Sequence, residues 1–443
     1  LFTLKKILFI TLLWAAAALH TGAQPTDWPE AVNKFIQSSA ANENEYRQKV
    51  ISLQPPFDSV YQALKKGRAY SAAVKKGFLC WDRKAANGIQ LFSLLFIPYN
   101  YSPEKKYPVR LLLHGDISLT DPYNVFRFID TSLTDYREVE QIRIYPSGYF
   151  AARWYYDLQY RNVLELIDSV KRIYNVDENR ISLSGVSDGG TGTYAFANFN
   201  STPYSSFLPY IGSALGLKYL GQHQGYLLNF SDKPFFIVNG RRDATFPPEL
   251  VEPYVSQLQR LNKNVSYFML DTFGHTLRWM PLLRDTLEKF LAAHPRNPFP
   301  DSLTWQTEDL RYNRNHWVLI NALGTTRHFE ASLNDENLVF LRGNSETAYK
   351  RDSAYGLIRV KKTGNVVRVS TRDVKNYTLL FSPDHFDFSK EVEVYTNGLL
   401  SYRGMLSKEL ETLMKWYAAD RDRTMLFASE LTIKTDKAAK GKK

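Results

Sequence analysis

Four short apolar runs constrain this chain more than any other feature. YPVRLLLHG, QIRIYPSG, RISLSG and KPFFIVNG lie between Tyr107 and Gly240; each is short and built around Ile, Leu, Val or Phe, and each ends in glycine. A strand with one wet face alternates polar and apolar residues. Runs without alternation therefore belong to strands buried on both faces, as in a parallel sheet. Helix-length segments separate them, at 163–174 and again at 251–261, and VSYFML follows as a last strand. This alternation predicts a three-layer α/β domain built on a mostly parallel sheet. Ahead of it, GFLCWDRK and IQLFSLLFIP flank 85–88, where Asn87-Gly88 predicts a hairpin turn.

The pattern changes after Pro295. The proline-rich PRNPFPDS leads to HWVLI, NLVFL, YGLIRV, NVVRVS, YTLLF and EVEVYTNG, several of which alternate apolar and polar residues. A mostly antiparallel, sandwich-like β domain is expected there, with one helix near 407–417. The predicted organisation is an export signal over 1–23, a helical lead-in over 24–76, the α/β domain over 77–296, the β-rich domain over 297–433, and a basic disordered tail over 434–443.

The signal reading rests on LFTLKK, an apolar stretch over 7–19 and a small residue at Ala23. It predicts a secreted or periplasmic protein with no stable membrane insertion after cleavage, since the apolar stretch is too short for a span. Cys80 is the single cysteine, which excludes an intrachain disulfide, Cys-based zinc sites and Cys–Cys redox chemistry. The formal charge of +11 owes much to Lys5, Lys6 and the five lysines of the tail, so no nucleic-acid partner is expected.

The chemistry concentrates at ISLSGVSDGGTG. Gly185-Val186-Ser187-Asp188-Gly189 fits G-x-S-x-G, with a strand-like run before it and a helix-like segment after it. That context predicts a strained turn exposing the Ser187 hydroxyl, with glycines leaving room for the tight backbone. A serine nucleophile needs a base, and the base needs an orienting carboxylate. Asp243 follows FFIVNG and His275 follows VSYFML, both at carboxyl ends of predicted parallel strands, where sites in open α/β sheets gather. Asp243 could instead cap the next segment or pair with Arg241 or Arg242. Asp271 is a rival acid, too close in sequence to His275 to come from a different strand end. His223, His294, His316, His328 and His385 are rival bases, less well placed in chain order. The N–H of Asp188 and the N–H of Asp116 (or of Ile117), in the loop after YPVRLLLHG, are the expected oxyanion donors. His114 is expected to hold that loop by hydrogen bonds.

The segment order FIPYNYSPEKKYPVRLLLHGD, VDENRISLSGVSDGGTG, FFIVNGRRDATFPP, FGHTL resembles the α/β-hydrolase superfamily, and within it the dienelactone-hydrolase, feruloyl-esterase and prolyl-oligopeptidase-like branch. The resemblance runs from about Gly77 to His294. It implies Ser187 as nucleophile, His275 as general base and Asp243 as orienting acid, with no cofactor or metal. It departs from the common pattern at Asp188, where a small residue often stands. Tyr149, Trp154 and Trp279 are expected to line a substrate site, because aromatic faces suit sugar rings or a phenolic acyl group; equally, they could pack loops on the sheet. The expected function is hydrolysis of carboxylic esters, small or on a glycan. A prolyl-oligopeptidase-like peptidase and a non-catalytic glycan-binding protein stand as alternatives.

Overall fold

The computed structural model describes residues 27–129, 134–217, 225–326, 328–331, 350–353 and 355–435. The expected export signal, His223, the NLVFL run and residues 436–443 of the expected tail lie outside these, as does the side chain of His328. The chain divides into two compact units, Leu1–Arg68 and Ala69–Lys443. In the first, α1 (Trp28–Gln37), α2 (Glu43–Leu53) and α3 (Phe57–Lys66) follow one another. α1 buries Ala31, Val32, Phe35 and Ile36, spaced to share one helical face. Gln54, in the left-handed region, ends α2, and Pro56 caps α3.

The second unit opens with β1 (Gly77–Lys84) and β2 (Gln90–Ile97), the hairpin expected from Asn87-Gly88, with Gly88 at φ +82°. There follow β3 (Tyr107–Leu113), β4 (Ile142–Pro146), α4 (Asp157–Ile173), β5 (Val176–Val186), α5 (Asp188–Phe199), β6 (Ser206–Tyr210) and β7 (Phe235–Gly240). α6 (Pro248–Leu261), β8 (Val265–Leu270) and α7 (Met280–Ala293) complete this region. The eight strands form one sheet in the order β1-β2-β4-β3-β5-β6-β7-β8. β2 runs antiparallel to both β1 and β4, and every later pairing is parallel.

Both faces of the sheet are covered at its centre, which is why β3 and β7 read as nearly unbroken apolar runs. Leu111, Leu183, Phe207 and Ile237 share a core with residues of α4, α5 and α6. Their neighbours Leu208, Phe236 and Val238 face the other way, against Leu287 and Phe290 of α7. Adjacent residues point to opposite faces, so a strand with two buried faces has little room for large polar side chains; β5 alternates Ile181 and Leu183 with the small, buried Ser182 and Ser184.

The β-rich remainder belongs to the same unit. β9 (Ser302–Thr307), β10 (Arg314–Asn315), β11 (Val318–Leu323), β12 (His328–Ala331), β13 (Lys350–Ser353), β14 (Gly356–Thr363), β15 (Val366–Arg372), β16 (Val374–Phe381), β17 (Val392–Thr396), β18 (Leu399–Gly404) and β19 (Ser429–Lys434) follow. They form a sheet β10-β11-β16-β19, a sheet β18-β17-β15-β14-β9, and the pair β12-β13. All pairings are antiparallel except β15 with β17. Trp305, Trp317, Val367, Tyr377, Leu379 and Val394 fill one core drawn from the two larger sheets. α8 (Leu410–Asp420) is the helix expected near 407–417, shifted by three residues.

Candidate active site

β5 passes directly into α5, and Ser187 occupies the joint. Its φ of 56° and ψ of −117° lie outside the regions that a side chain ordinarily tolerates. Such a conformation carries about 1–3 kcal/mol of strain and persists only where the surroundings dictate it. Here they do. The N–H of Ser187 donates to the Tyr210 carbonyl at 3.0 Å, and its own carbonyl accepts from Thr191 N–H at 3.0 Å. The flanking glycines are obligatory for space. A Cβ on Gly185 would stand 1.9 Å from the Gly189 carbonyl oxygen, and one on Gly189 would stand 2.1 Å from the Leu113 oxygen.

Two strand-end loops converge on this turn. Asp243 follows β7 and is buried, with Oδ1 accepting from the N–H groups of Thr245 at 2.8 Å and Phe246 at 3.0 Å. Its other oxygen, Oδ2, is 2.8 Å from Nδ1 of His275, in the loop after β8. Nε2 of His275 is 2.9 Å from the Ser187 Oγ. Because an ionised carboxylate only accepts, Nδ1 carries the proton and Nε2 presents its lone pair to the hydroxyl. A serine proton can therefore pass to the imidazole while Asp243 holds the ring in that tautomer. Asp271 lies elsewhere, bonded to Arg241 at 2.6 Å. The rivals His294, His316 and His385 bond to Phe290, bond to Asn315 and pack on Phe299, respectively.

The loop after β3 closes the other side. A Cβ on Gly115 would meet the Ser187 Cβ at 3.0 Å, so the backbone at this point lies against the serine. Asp116 is at φ +51°, which turns the chain sharply after that contact. His114 is buried beneath, accepting from Gly148 N–H at Nε2 (3.0 Å) and donating from Nδ1 to the Gly115 carbonyl at 2.6 Å. Burial holds its imidazole down at about 4, against the opposing effects of that carbonyl and the Asp116 charge. It is a neutral strut. The Asp188 carboxylate accepts from the Ile117 N–H at 3.3 Å. Ile117 is thereby engaged. Among the described residues no backbone hydrogen bond occupies the N–H of Asp116 or of Asp188. Asp188 thus ties the loop to the elbow. Removing that tie in Asp188→Ala is expected to lower kcat about fivefold, the scale of one lost hydrogen bond, with Asp188→Asn restoring most of it. Steady-state kinetics of the two variants decide this; equal losses in both would remove the tie from the account.

The three expected substrate aromatics are corrected. Trp154 is fully buried, donating from Nε1 to the His114 carbonyl at 2.8 Å. Its ring fills the space that glycine leaves at Gly148 and Gly192. Tyr149 is buried, its hydroxyl donating to the Gln90 carbonyl at 2.9 Å. Trp279 is fully buried against Tyr210, with ring centroids 5.1 Å apart. Large rings near a sheet edge gain more from filling its core than from waiting in solvent. Different rings stand at the surface here. Phe128, 38% exposed, stacks on His114 at 4.5 Å, and Phe150, 56% exposed, lies under the Arg153 guanidinium. Phe246 approaches His275 from the acid's loop, at 5.9 Å between centroids. Nothing in their sequence spacing distinguishes them from core aromatics.

No protein-family model matches the chain, and no curated protein does. Similar solved structures do exist. A thermostable esterase aligns at 22% identity and TM-score 0.42, over 49% of this chain and 63% of its own. S-formylglutathione hydrolase from Staphylococcus aureus aligns at 16% identity and TM-score 0.38, over 49% of this chain and all of its own. An acylaminoacyl peptidase from Pyrococcus horikoshii aligns at 16% and 0.40, over 51% of this chain and 43% of its own. The chain thus spans less than two thirds of the esterase and less than half of the peptidase. The strand order with its antiparallel β2, and the strained serine joint between β5 and α5, make this an α/β-hydrolase fold.

Proposed function

We propose that the chain is a serine hydrolase that cleaves carboxylic esters through an acyl-enzyme. The observation that carries this reading is the unbroken hydrogen-bond chain from Ser187 through His275 to buried Asp243. In the proposed cycle the Ser187 Oγ attacks the ester carbonyl while His275 Nε2 takes its proton. The N–H groups of Asp188 and Asp116 hold the oxyanion, aided by the positive end of α5. His275 then protonates the leaving alcohol. Water, activated by the same nitrogen, attacks the acyl-enzyme and releases the acid. Exposed Phe128 and Phe150 and half-buried Phe246 favour an apolar or aromatic group on the substrate.

Esters are preferred to peptides because, among the described residues, the acids around Ser187 already have partners within the protein: Asp243 with His275, Asp188 with the Ile117 N–H and Asp116 with the Ser118 hydroxyl. Export to the periplasm or medium remains part of the proposal, carried by the N-terminal residues. A fluorophosphonate probe is expected to label the protein on the peptide containing Ser187. Hydrolysis of p-nitrophenyl esters is expected to exceed that of Xaa-Pro anilides. An unlabelled folded protein would sink the nucleophile, and anilides turned over faster than esters would favour the peptidase.

A further inference from the structure

The outward face of the five-stranded sheet carries a groove of about 670 Å³, remote in sequence from Ser187. Its floor consists of two cross-strand rows. In one, Thr304 of β9, Arg359 of β14 and Ser370 of β15 stand opposite one another. In the other, Ser302, Lys361, Arg368 and Tyr395 do so across β9, β14, β15 and β17. Directly paired residues share a face, so these side chains project together. Ser231 and Asp232 close one side of the groove, and Asn397 and Gly398 lie at the other strand end.

The charge placement is the informative part. Lys361 and Arg368 are like charges in directly opposed positions, an arrangement that weakens a sheet. Arg359 adds a third cation two residues along β14, and β14 and β15 contain no acidic residue. Among the described residues no carboxylate forms a salt bridge with Arg359, Lys361 or Arg368. The two acids nearby have other direct partners. Glu393 lies close enough to feel the Arg368 charge, yet it pairs with Arg403 at 2.8 Å and accepts from the Tyr395 hydroxyl, and Asp232 meets Lys233 at 3.3 Å. Three exposed cations clustered against sheet stability, in a concave site, call for an anionic ligand.

We propose that this groove binds a carboxylated glycan, a stretch of uronate polymer lying across β9, β14, β15 and β17. The hydroxyls of Ser302, Thr304 and Ser370 stand beside the cations in both rows, matching a chain that presents carboxylates and hydroxyls together. A single-stranded nucleic acid fits less well. It needs open aromatic faces for its bases, and Tyr395 has Arg368 over its ring at 4.8 Å. The inference is independent of the proposed catalysis.

Affinity electrophoresis of the full chain through gels containing polygalacturonate, amylose or single-stranded DNA tests it. Retardation by polygalacturonate alone is expected. The double variant Lys361→Gln/Arg368→Gln is expected to weaken that binding about tenfold or more, the scale of one or two charge-assisted hydrogen bonds. Its turnover of a small soluble ester should equal that of the parent, which also reports that the variant is folded. Failure of polygalacturonate to retard the parent would overturn the proposal. So would equal retardation by DNA, or a variant that binds polygalacturonate undiminished.

Discussion

Ser187→Ala and His275→Ala are each expected to lower kcat on a small ester by about 10⁶-fold, and the double variant is expected to fall no further. The reason lies in the geometry. Without the hydroxyl the imidazole has nothing to deprotonate, and without the imidazole the hydroxyl, 2.9 Å away, keeps its proton. Each group acts only through the other, so their losses do not add. In the proposed cycle the residual rate belongs to the Asp116 and Asp188 N–H groups, which would still stabilise the oxyanion for attack by water. Folding should be undisturbed. His275 is partly exposed, and alanine can occupy the Ser187 backbone at the same strain as serine. Circular dichroism and the urea midpoint check that condition, and progress curves over several hours give the residual rate. A His275→Ala enzyme retaining more than about a hundredth of parental kcat would point to a different base. Losses that multiplied in the double variant would mean that the two residues work independently.

The proposed chemistry was legible in the sequence because it sits where strands end. Ser187, Asp243 and His275 each follow an apolar run, and a parallel sheet gathers the carboxyl ends of its strands at one edge. The expectation that His114 holds its loop agrees with its two hydrogen bonds. Two things were not legible. The fate of an aromatic ring depends on the cavity beside it, and Trp154 found one because Gly148 and Gly192, 44 residues apart in the chain, leave room at its two ends. The job of the Asp188 carboxylate depends on a loop 71 residues earlier. The β-rich region was legible as a sheet class from its alternation, but not as part of one compact unit with the α/β region. What joins them are charged pairs separated by well over a hundred residues, and no local pattern announces those.

Breaking one of these pairs is expected to be the largest stability effect of any single substitution outside the apolar cores. Arg296, just after α7, reaches Asp422 beyond α8 at 2.5 Å, and both side chains are 2% exposed. The same guanidinium bonds Asn179 of β5 at 2.9 Å and the Thr202 carbonyl at 3.2 Å. The neighbouring Arg423 grips Glu178 and donates to the Val176 carbonyl at 2.6 Å. The β-rich region thereby holds the first half of the strand whose far end carries Ser187. Asp422→Ala leaves a buried guanidinium with its charge uncompensated, and a loss of about 3–5 kcal/mol is expected from the urea midpoint. Arg296→Met in the same chain removes the orphaned charge, so the double variant should recover part of that loss. The pH dependence follows with a definite sign. Burial pushes the Asp422 carboxyl up, but the charges of Arg296 and Lys171 and the hydrogen bonds from Thr424 and Arg296 outweigh it and hold the group well below the usual range. A folded-state value below the unfolded one, about 3.9, makes the contribution complete above that pH and lost as pH falls through the folded-state value. The gap in stability between parent and Asp422→Ala should therefore be constant from pH 8 to about pH 5 and narrow steadily below about pH 4. A gap that widened on acidification would mean that the carboxyl is protonated in the folded chain.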